Sequence, residues 1–445
     1  MKNGQYLLST EKVSKAFWKL AIPALLTTLI SQIYNLTDTY FIGMLNNTAM
    51  LSAVSLAMPI MWLVNAISGM IGAGAPQLIS LKDGAGDRTA SARCRSFAVY
   101  GTLIMSLVIT PIALFAINPV LGLMTKDAEV AAYAAEYLRI IIGAISVSAV
   151  SGAIQGVLRA GGRTTHASIA SMAGIVTNII LDPVFILGFD MGMAGAAVAT
   201  ALGSVISLIV GIFYIRGEIS LRNALPSAAD IALMFKISLA STISSVITAL
   251  SVGASFTMAS SLGGNTMASI SVTSKIYSTV VSVISALAFS IQPFIGYNYG
   301  AGNHVRLMNG LGISLFIGEA VGIVGTLAFI FGGSMFMRLF TTDAALIATG
   351  AKMLRLMAIG LPVASIQMNG MSYMSATGKA MRTLGVSLGR QIFSMVLMLV
   401  LQHFMGETGL MLAYPLTDIV ATVPSVMLCI GEIKRMFTEN RAARA

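Results

Sequence analysis

From Leu20 to Leu81 the chain carries a single Asp, Glu, Lys or Arg, which is Asp38, and from Thr164 to Phe189 again only one, Asp182. Apolar sequence of this length constrains the fold more than any motif does. Inside hydrocarbon every backbone N–H and C=O must find its partner within the protein, which leaves helices and closed barrels. Barrel strands would alternate polar and apolar residues over about ten positions. These runs do not alternate, and each is long enough for a spanning helix of about 20 residues. Composition agrees, with 56% hydrophobic and 10% charged residues and a mean hydropathy of +0.85, against about 25% charged in a soluble domain. The expected fold class is therefore an all-α integral membrane protein, with the lipid bilayer as its first partner.

Twelve transmembrane helices are predicted, at 17–43, 51–79, 95–118, 131–156, 167–189, 192–215, 237–262, 267–298, 308–337, 350–374, 384–405 and 409–433. They divide the chain into a cytoplasmic N-terminal segment (1–16), an N-lobe of six spans (17–215), a cytoplasmic linker (216–236), a C-lobe of six spans (237–433) and a cytoplasmic tail (434–445). With both termini inside, most of the 27 basic residues fall in cytoplasmic segments, Arg390 counted among them, and Lys275 is the one placed inside a span. This is the positive-inside pattern, so the net charge of +10 reports topology rather than nucleic-acid binding. The first span itself is expected to direct insertion into the bacterial inner membrane. Cys94 and Cys429 both lie toward the cytoplasm, and no disulfide is expected.

The two halves are copies. Gly84-Ala85-Gly86 returns as Gly300-Ala301-Gly302, Thr125-Lys126-Asp127-Ala128 as Thr341-Thr342-Asp343-Ala344, and Leu138-Arg139 as Leu354-Arg355, each 216 positions on. Six spans per half make these parallel repeats related by an axis along the membrane normal, the plan of two-lobed alternating-access carriers. The copies differ in their acids. Asp182 corresponds to Met398, Asn178 to Ser394, and Asp38 to Ser255 or Phe256. An acid required by the architecture would appear in both halves.

An ionised Asp placed mid-bilayer costs about 2.5–3.5 kcal/mol on insertion scales, so Asp182 needs a reason. Asn178 lies four residues before it, on the same helical face. Pro183 lacks an N–H and so releases the carbonyl of Ile179. Carboxylate, amide and carbonyl can converge on one small cation; the plainer alternative is a neutral Asp bonded to a neighbouring helix. In the first span Tyr34 and Asn35 share the face of Asp38. Pro23 and Pro183 are expected to bend spans 1 and 5. Thr200 is a further oxygen ligand or simply a packing residue. In the C-lobe, Lys275, Gln292 and Asn369 are candidates, while Lys275, Glu319 and Asp418 lie within a few turns of span ends, where structural and functional readings balance. The 29 Met residues offer an adaptable surface for varied greasy ligands. No nucleotide-binding Gly-rich loop or His-Glu-x-x-His motif is present, and His166, His304 and His403 are scattered. The chain is not expected to be an enzyme or to need a cofactor.

Three motifs carry a family resemblance: Asp38-Thr39-Tyr40-Phe41-Ile42-Gly43, Asn178-Ile179-Ile180-Leu181-Asp182, and Gln292-Pro293-Phe294-Ile295-Gly296-Tyr297-Asn298-Tyr299-Gly300-Ala301. Together with twelve spans in two halves they resemble the multidrug and toxic compound extrusion (MATE) family over the whole chain, the third motif being most similar to the MepA-type bacterial multidrug exporters. The resemblance implies export of cationic, amphipathic small molecules in exchange for Na⁺ or H⁺ by a V-shaped pair of lobes acting as a monomer. It also implies an N-lobe cation site at Asp38, Asn178, Asp182 and Thr200, the ligand set if the ion is Na⁺. Relatives with acids in spans 7 and 10 differ from this chain, which has Ser255 and Asn369 in those regions. The rival functions are a flippase for a lipid-linked precursor, for which the mid-membrane acids are the wrong sign, and a passive carrier of polar solutes.

Overall fold

The structure, a computed structural model, describes residues 2–44, 48–220, 225–261 and 264–442, and among them the regular elements are all helical. In chain order they are α1 (Lys2–Ser9), α2 (Val13–Met44), α3 (Thr48–Ser68), α4 (Met70–Gly84), α5 (Arg88–Met124), α6 (Ala128–Gly143), α7 (Ile145–Ala160) and α8 (Thr164–Pro183). A π-helical turn, Val184–Gly188, leads to α9 (Gly192–Ile215) and α10 (Ala228–Ser261). Then come α11 (Gly264–Ser290), α12 (Gln292–Gly300), α13 (His304–Arg338), α14 (Ala344–Ala358), α15 (Leu361–Ala376) and α16 (Ala380–Ala442). Each expected span falls on one of these helices, on a broken pair, or on one leg of α16.

Breaks inside spans are what the apolar pattern did not announce. The pairs α3–α4, α6–α7 and α14–α15 bend by 48°, 47° and 48°. A proline in the first turn of α12 and of α15 shows why a new helix starts there, since a first-turn residue needs no intrahelical donor. The long α16 reverses at Gly406, whose φ of 58° and ψ of −133° suit only glycine. Its repeat mate Gly192 has φ of 53° as the first residue of α9. The copies match elsewhere too. Asp127 caps α6 by accepting from the backbone of Glu129 and Val130, and Asp343 caps α14 from Ala345 and Leu346. Phe115 and Phe331, 216 apart, are 85% and 82% exposed, as lipid-facing side chains should be.

The chain forms two compact units. One holds Met1–Glu11 and Ile22–Thr242, the other Lys12–Ala21 and Ile243–Ala445. One dividing point thus falls inside α10, beyond the 216–236 linker, and another beside Pro23. Helix α2 runs unbroken through Pro23, whose carbonyl accepts from Thr27 Oγ1 at 2.9 Å. In the N-terminal unit one apolar cluster joins Ala57, Leu121, Leu138, Ile142 and Ile186, and a second joins Ile79, Ala98, Ile154, Leu158 and Met234. The C-terminal unit has its own clusters around Met353 and Met398 and around Ile284, Phe329 and Leu361.

Ion pairs fasten the helix ends at the loops that join them. In the N-terminal unit buried Arg95 pairs with Asp83 and, at 2.7 Å, with Glu218, which also pairs with Arg163. In the C-terminal unit Glu432 takes the place of Glu218 and pairs with Lys379 and Arg382. Tyr299, at the repeat position of Asp83, lies under the ammonium of Lys379, 5.7 Å from ring centre to Nζ.

Candidate functional site

The site grows from the way α8 and α9 touch. A Cβ on Gly174 would lie 2.6 Å from the carbonyl oxygen of Gly203, and one on Gly203 2.6 Å from that of Gly174. Only glycine at both positions allows this approach, the small-residue contact that holds helices together where burial supplies no force. One turn further along α8 comes Asn178, and one more turn brings Asp182, 4% and 0% exposed. The crossing therefore presses an amide and a carboxylate of α8 against α9.

The Asn178 amide bridges the two helices. Its Nδ2 donates to Asp182 Oδ2 at 3.1 Å while Oδ1 accepts from the Thr200 N–H at 2.9 Å, which satisfies both ends of the group. Thr200 Oγ1 in turn donates to the carbonyl of Ala196 at 3.0 Å. After Asp182, Pro183 ends the α-helix, and the following π turn closes with Phe189 N–H donating to the Val184 carbonyl at 2.9 Å. The proline that the sequence marks as a bend thus produces a change of helical pitch, a common feature of functional helices.

Asn178 and Thr200 line an open cleft of about 180 Å³, together with Tyr34, Ser171, Ser204 and Ser207. Behind it Ser207 accepts from Ser151 Oγ at 2.9 Å and from Gln155 Nε2 at 3.1 Å. The cleft is polar along one face of α9, where Thr200, Ser204 and Ser207 follow at helical spacing. Sequence reasoning singled out Thr200 alone; the i, i+4, i+7 run of hydroxyls was the signal for the other two. Of the remaining candidates, Tyr34 joins the cleft wall, and the side chains of Asn35 and Asp38 lie outside the described residues.

The C-terminal candidates are arranged differently. Asn369 is buried between α13 and α15, accepting from Ser314 Oγ at 2.7 Å and donating to the Ser365 carbonyl at 3.0 Å. Gln292 opens α12 and is half-buried. Lys275 is exposed on α11 and pairs with no carboxylate among the described residues. Glu319 is half-buried on α13. The base that meets a mid-span acid is Arg390, whose Nε and Nη2 donate to Asp418 Oδ1 at 3.1 and 2.6 Å. Arg390, expected among the basic residues of the cytoplasmic segments, is thus paired with a carboxylate that is 2% exposed. No group of three or more His, Cys, Asp or Glu gathers among the described residues.

Comparisons with known proteins agree with the all-helical fold. The MatE family model matches residues 23–184 and again 240–400. The multidrug export protein MepA of Staphylococcus aureus (strain MRSA252) is 24% identical over 439 residues, 96% of each chain. The crystal structure of MATE in complex with MaL6 superposes with a TM-score of 0.94 at 22% identity, covering 98% of this chain and 100% of that one. A MOP superfamily transporter from Pyrococcus furiosus Vc1 (DSM3638), described as having a binding pocket of reverse polarity, superposes with a TM-score of 0.91 at 22% identity, covering 97% and 98%.

Proposed function

The chain belongs to the MatE family, and on that premise we propose that it exports cationic, amphipathic compounds from the cell in exchange for Na⁺ or H⁺, by alternating access with both termini in the cytoplasm. The observation that carries this reading is the fully buried carboxylate of Asp182, linked through Asn178 to Thr200 on the wall of an open polar cleft. Because the same fold also carries a pocket described as reversed in polarity, the charge of the pocket, rather than the backbone, chooses the substrate. In this chain the acid Asp182 lies one helical turn beyond the cleft-lining Asn178.

The donors suit a small hard cation, since carboxylate, amide carbonyl and hydroxyl oxygens all favour one. They suit a proton equally, held on Asp182. The Asn178 amide holds the ionised Asp182 by donating from Nδ2 to Oδ2, and its Oδ1 is fixed by the Thr200 N–H. Cation and substrate then compete for one negative charge, and binding of the first from outside releases the second.

Asp38 enters this proposal through the family resemblance, as the second acid of the N-lobe cation site. The test is efflux of a fluorescent cationic dye from proteoliposomes, with Na⁺ and pH gradients imposed separately. Dye movement driven by one gradient in the wild type and absent in folded Asp182→Asn supports the proposal. Equal driven movement in the two proteins overturns it.

A further inference from the structure

The pair Arg390–Asp418 stands where the C-terminal unit ought to have its copy of the cleft. The repeat fixes the correspondence. Arg390 lies 216 after Gly174, in step with Met398 after Asp182. Beyond the turn the register is 214, anchored by the positive-φ glycines Gly192 and Gly406. That register sets Tyr414 at the place of Thr200, Thr417 at that of Gly203 and Asp418 at that of Ser204. The contact made by Gly174 and Gly203 is closed to Arg390 and Thr417, whose Cβ atoms would fill the space that the two backbones share. The legs of α16 are joined there by a guanidinium and a carboxylate instead. Where one unit keeps an open polar cleft walled by Gly174 and Ser204, the other has filled the position with its own cation.

Asp418 is closed in on every described side. Arg390 takes Oδ1, the Tyr277 hydroxyl stands 3.5 Å from Oδ2, and the backbone at Gly360 is so near that an added Cβ would lie 3.1 Å from Oδ2. Thr422 donates to the backbone carbonyl of the same residue at 2.8 Å. In the same unit Ser255 stands against Met398, both uncharged.

We infer that Arg390 is a tethered counter-cation that silences a latent cation site at Asp418, so that the transporter exchanges cations at its N-terminal unit alone. This deepens the antiport reading and rests on it for the role of the N-terminal site. A diffusible ion arriving at Asp418 would have to displace a guanidinium that cannot leave, and the C-terminal unit keeps a fixed charge throughout the cycle. Removing the guanidinium uncovers a carboxylate enclosed by a hydroxyl and backbone, the kind of donor set that takes Na⁺ or a proton.

The experiment counts cations bound per purified protein, as Na⁺ by equilibrium binding and as H⁺ by potentiometric titration. Wild type, Arg390→Gln, Arg390→Lys and Asp418→Asn are compared. Arg390→Gln should bind one cation more than wild type, a gain that persists when Asp182→Asn is added and disappears when Asp418→Asn is added. Arg390→Lys keeps a tethered cation and should show no gain. Folded Arg390→Gln with an unchanged count overturns the inference. Asp418→Asn provides the independent check: its count should equal that of wild type, and a count lower by one overturns the inference by showing that Asp418 already exchanges. Loss of the wild-type cation on Asp182→Asn tests the antiport reading alone. A gain at Asp418 without any such loss would sink that reading and leave the tethered cation standing.

Discussion

The helix pair α8–α9 and the two legs of α16 are copies of one design that meet different ends. The first pair closes on Gly174 and Gly203, which leaves hydroxyls, an amide and a carboxylate beside an open cleft. The second carries Arg390 and Asp418 at the same level and satisfies its acid from within. The repeat supplies the shape, and a few substitutions decide which copy offers a charge for exchange. The difference teaches that a buried acid in such a protein is read from its partner: Asp182 faces a neutral amide, whereas Asp418 faces a cation that is part of the chain.

The comparison can be broken most directly at Asp182. Asp182→Asn keeps the volume and hydrogen bonding and removes the exchangeable charge; driven dye export should fall more than about tenfold, equivalent to roughly 1.4 kcal/mol of lost interaction or more. Export rate at saturating dye in proteoliposomes checks this.

The ion-pair clamps come next. Glu218 holds Arg95, whose side chain is 5% exposed, whereas Glu432 holds Lys379 and Arg382, 22% and 44% exposed. Glu218→Gln leaves a buried guanidinium short of a partner, a change that destabilises by about 3–5 kcal/mol. Glu432→Gln leaves cations that water can reach, and about 1 kcal/mol is expected. Melting of the detergent-solubilised variants should therefore show the larger fall for Glu218→Gln; equal shifts would mean that the two clamps do the same job.

The glycine crossing gives a smaller contrast. Gly203→Val should push α8 from α9 at about 1–3 kcal/mol, while Thr417→Gly in the other unit should change stability by less than about 1.5 kcal/mol. Chemical denaturation of the two variants measures the difference. The least effect is expected at α1. A Cβ on Gly4 would lie 2.1 Å from the Gly161 carbonyl oxygen, so Gly4→Val should release α1 from the turn before α8. Faster proteolysis near Ser9, with melting of the spans unchanged, is the expected signature.

Much of this was legible in the sequence because lipid permits so few solutions. Long uncharged runs had to become helices, and the two halves had to share a path once Thr125-Lys126-Asp127-Ala128 returned as Thr341-Thr342-Asp343-Ala344. Asn178 and Asp182 came together because helical spacing alone puts them on one face. What the sequence hid depended on contacts between helices. The bends inside three spans have weak local signals, a proline at the start of α15 and little elsewhere. Ser204 and Ser207 read as ordinary small residues until Gly174 and Gly203 brought their face beside Asn178. Arg390 read as one more cytoplasmic cation, since its partner lies 28 residues away on the returning leg.

The central claim is that a cation and the substrate compete for Asp182, and equilibrium binding of a fluorescent cationic dye to the purified protein tests it most directly. With Na⁺ or H⁺ raised in steps, the apparent Kd for the dye in wild type should climb in proportion to one of them. In Asp182→Asn the dye should bind more weakly, with a Kd that neither ion changes. A Kd that rises equally with the ion in both proteins would contradict the account, because the competition would then be taking place somewhere other than Asp182.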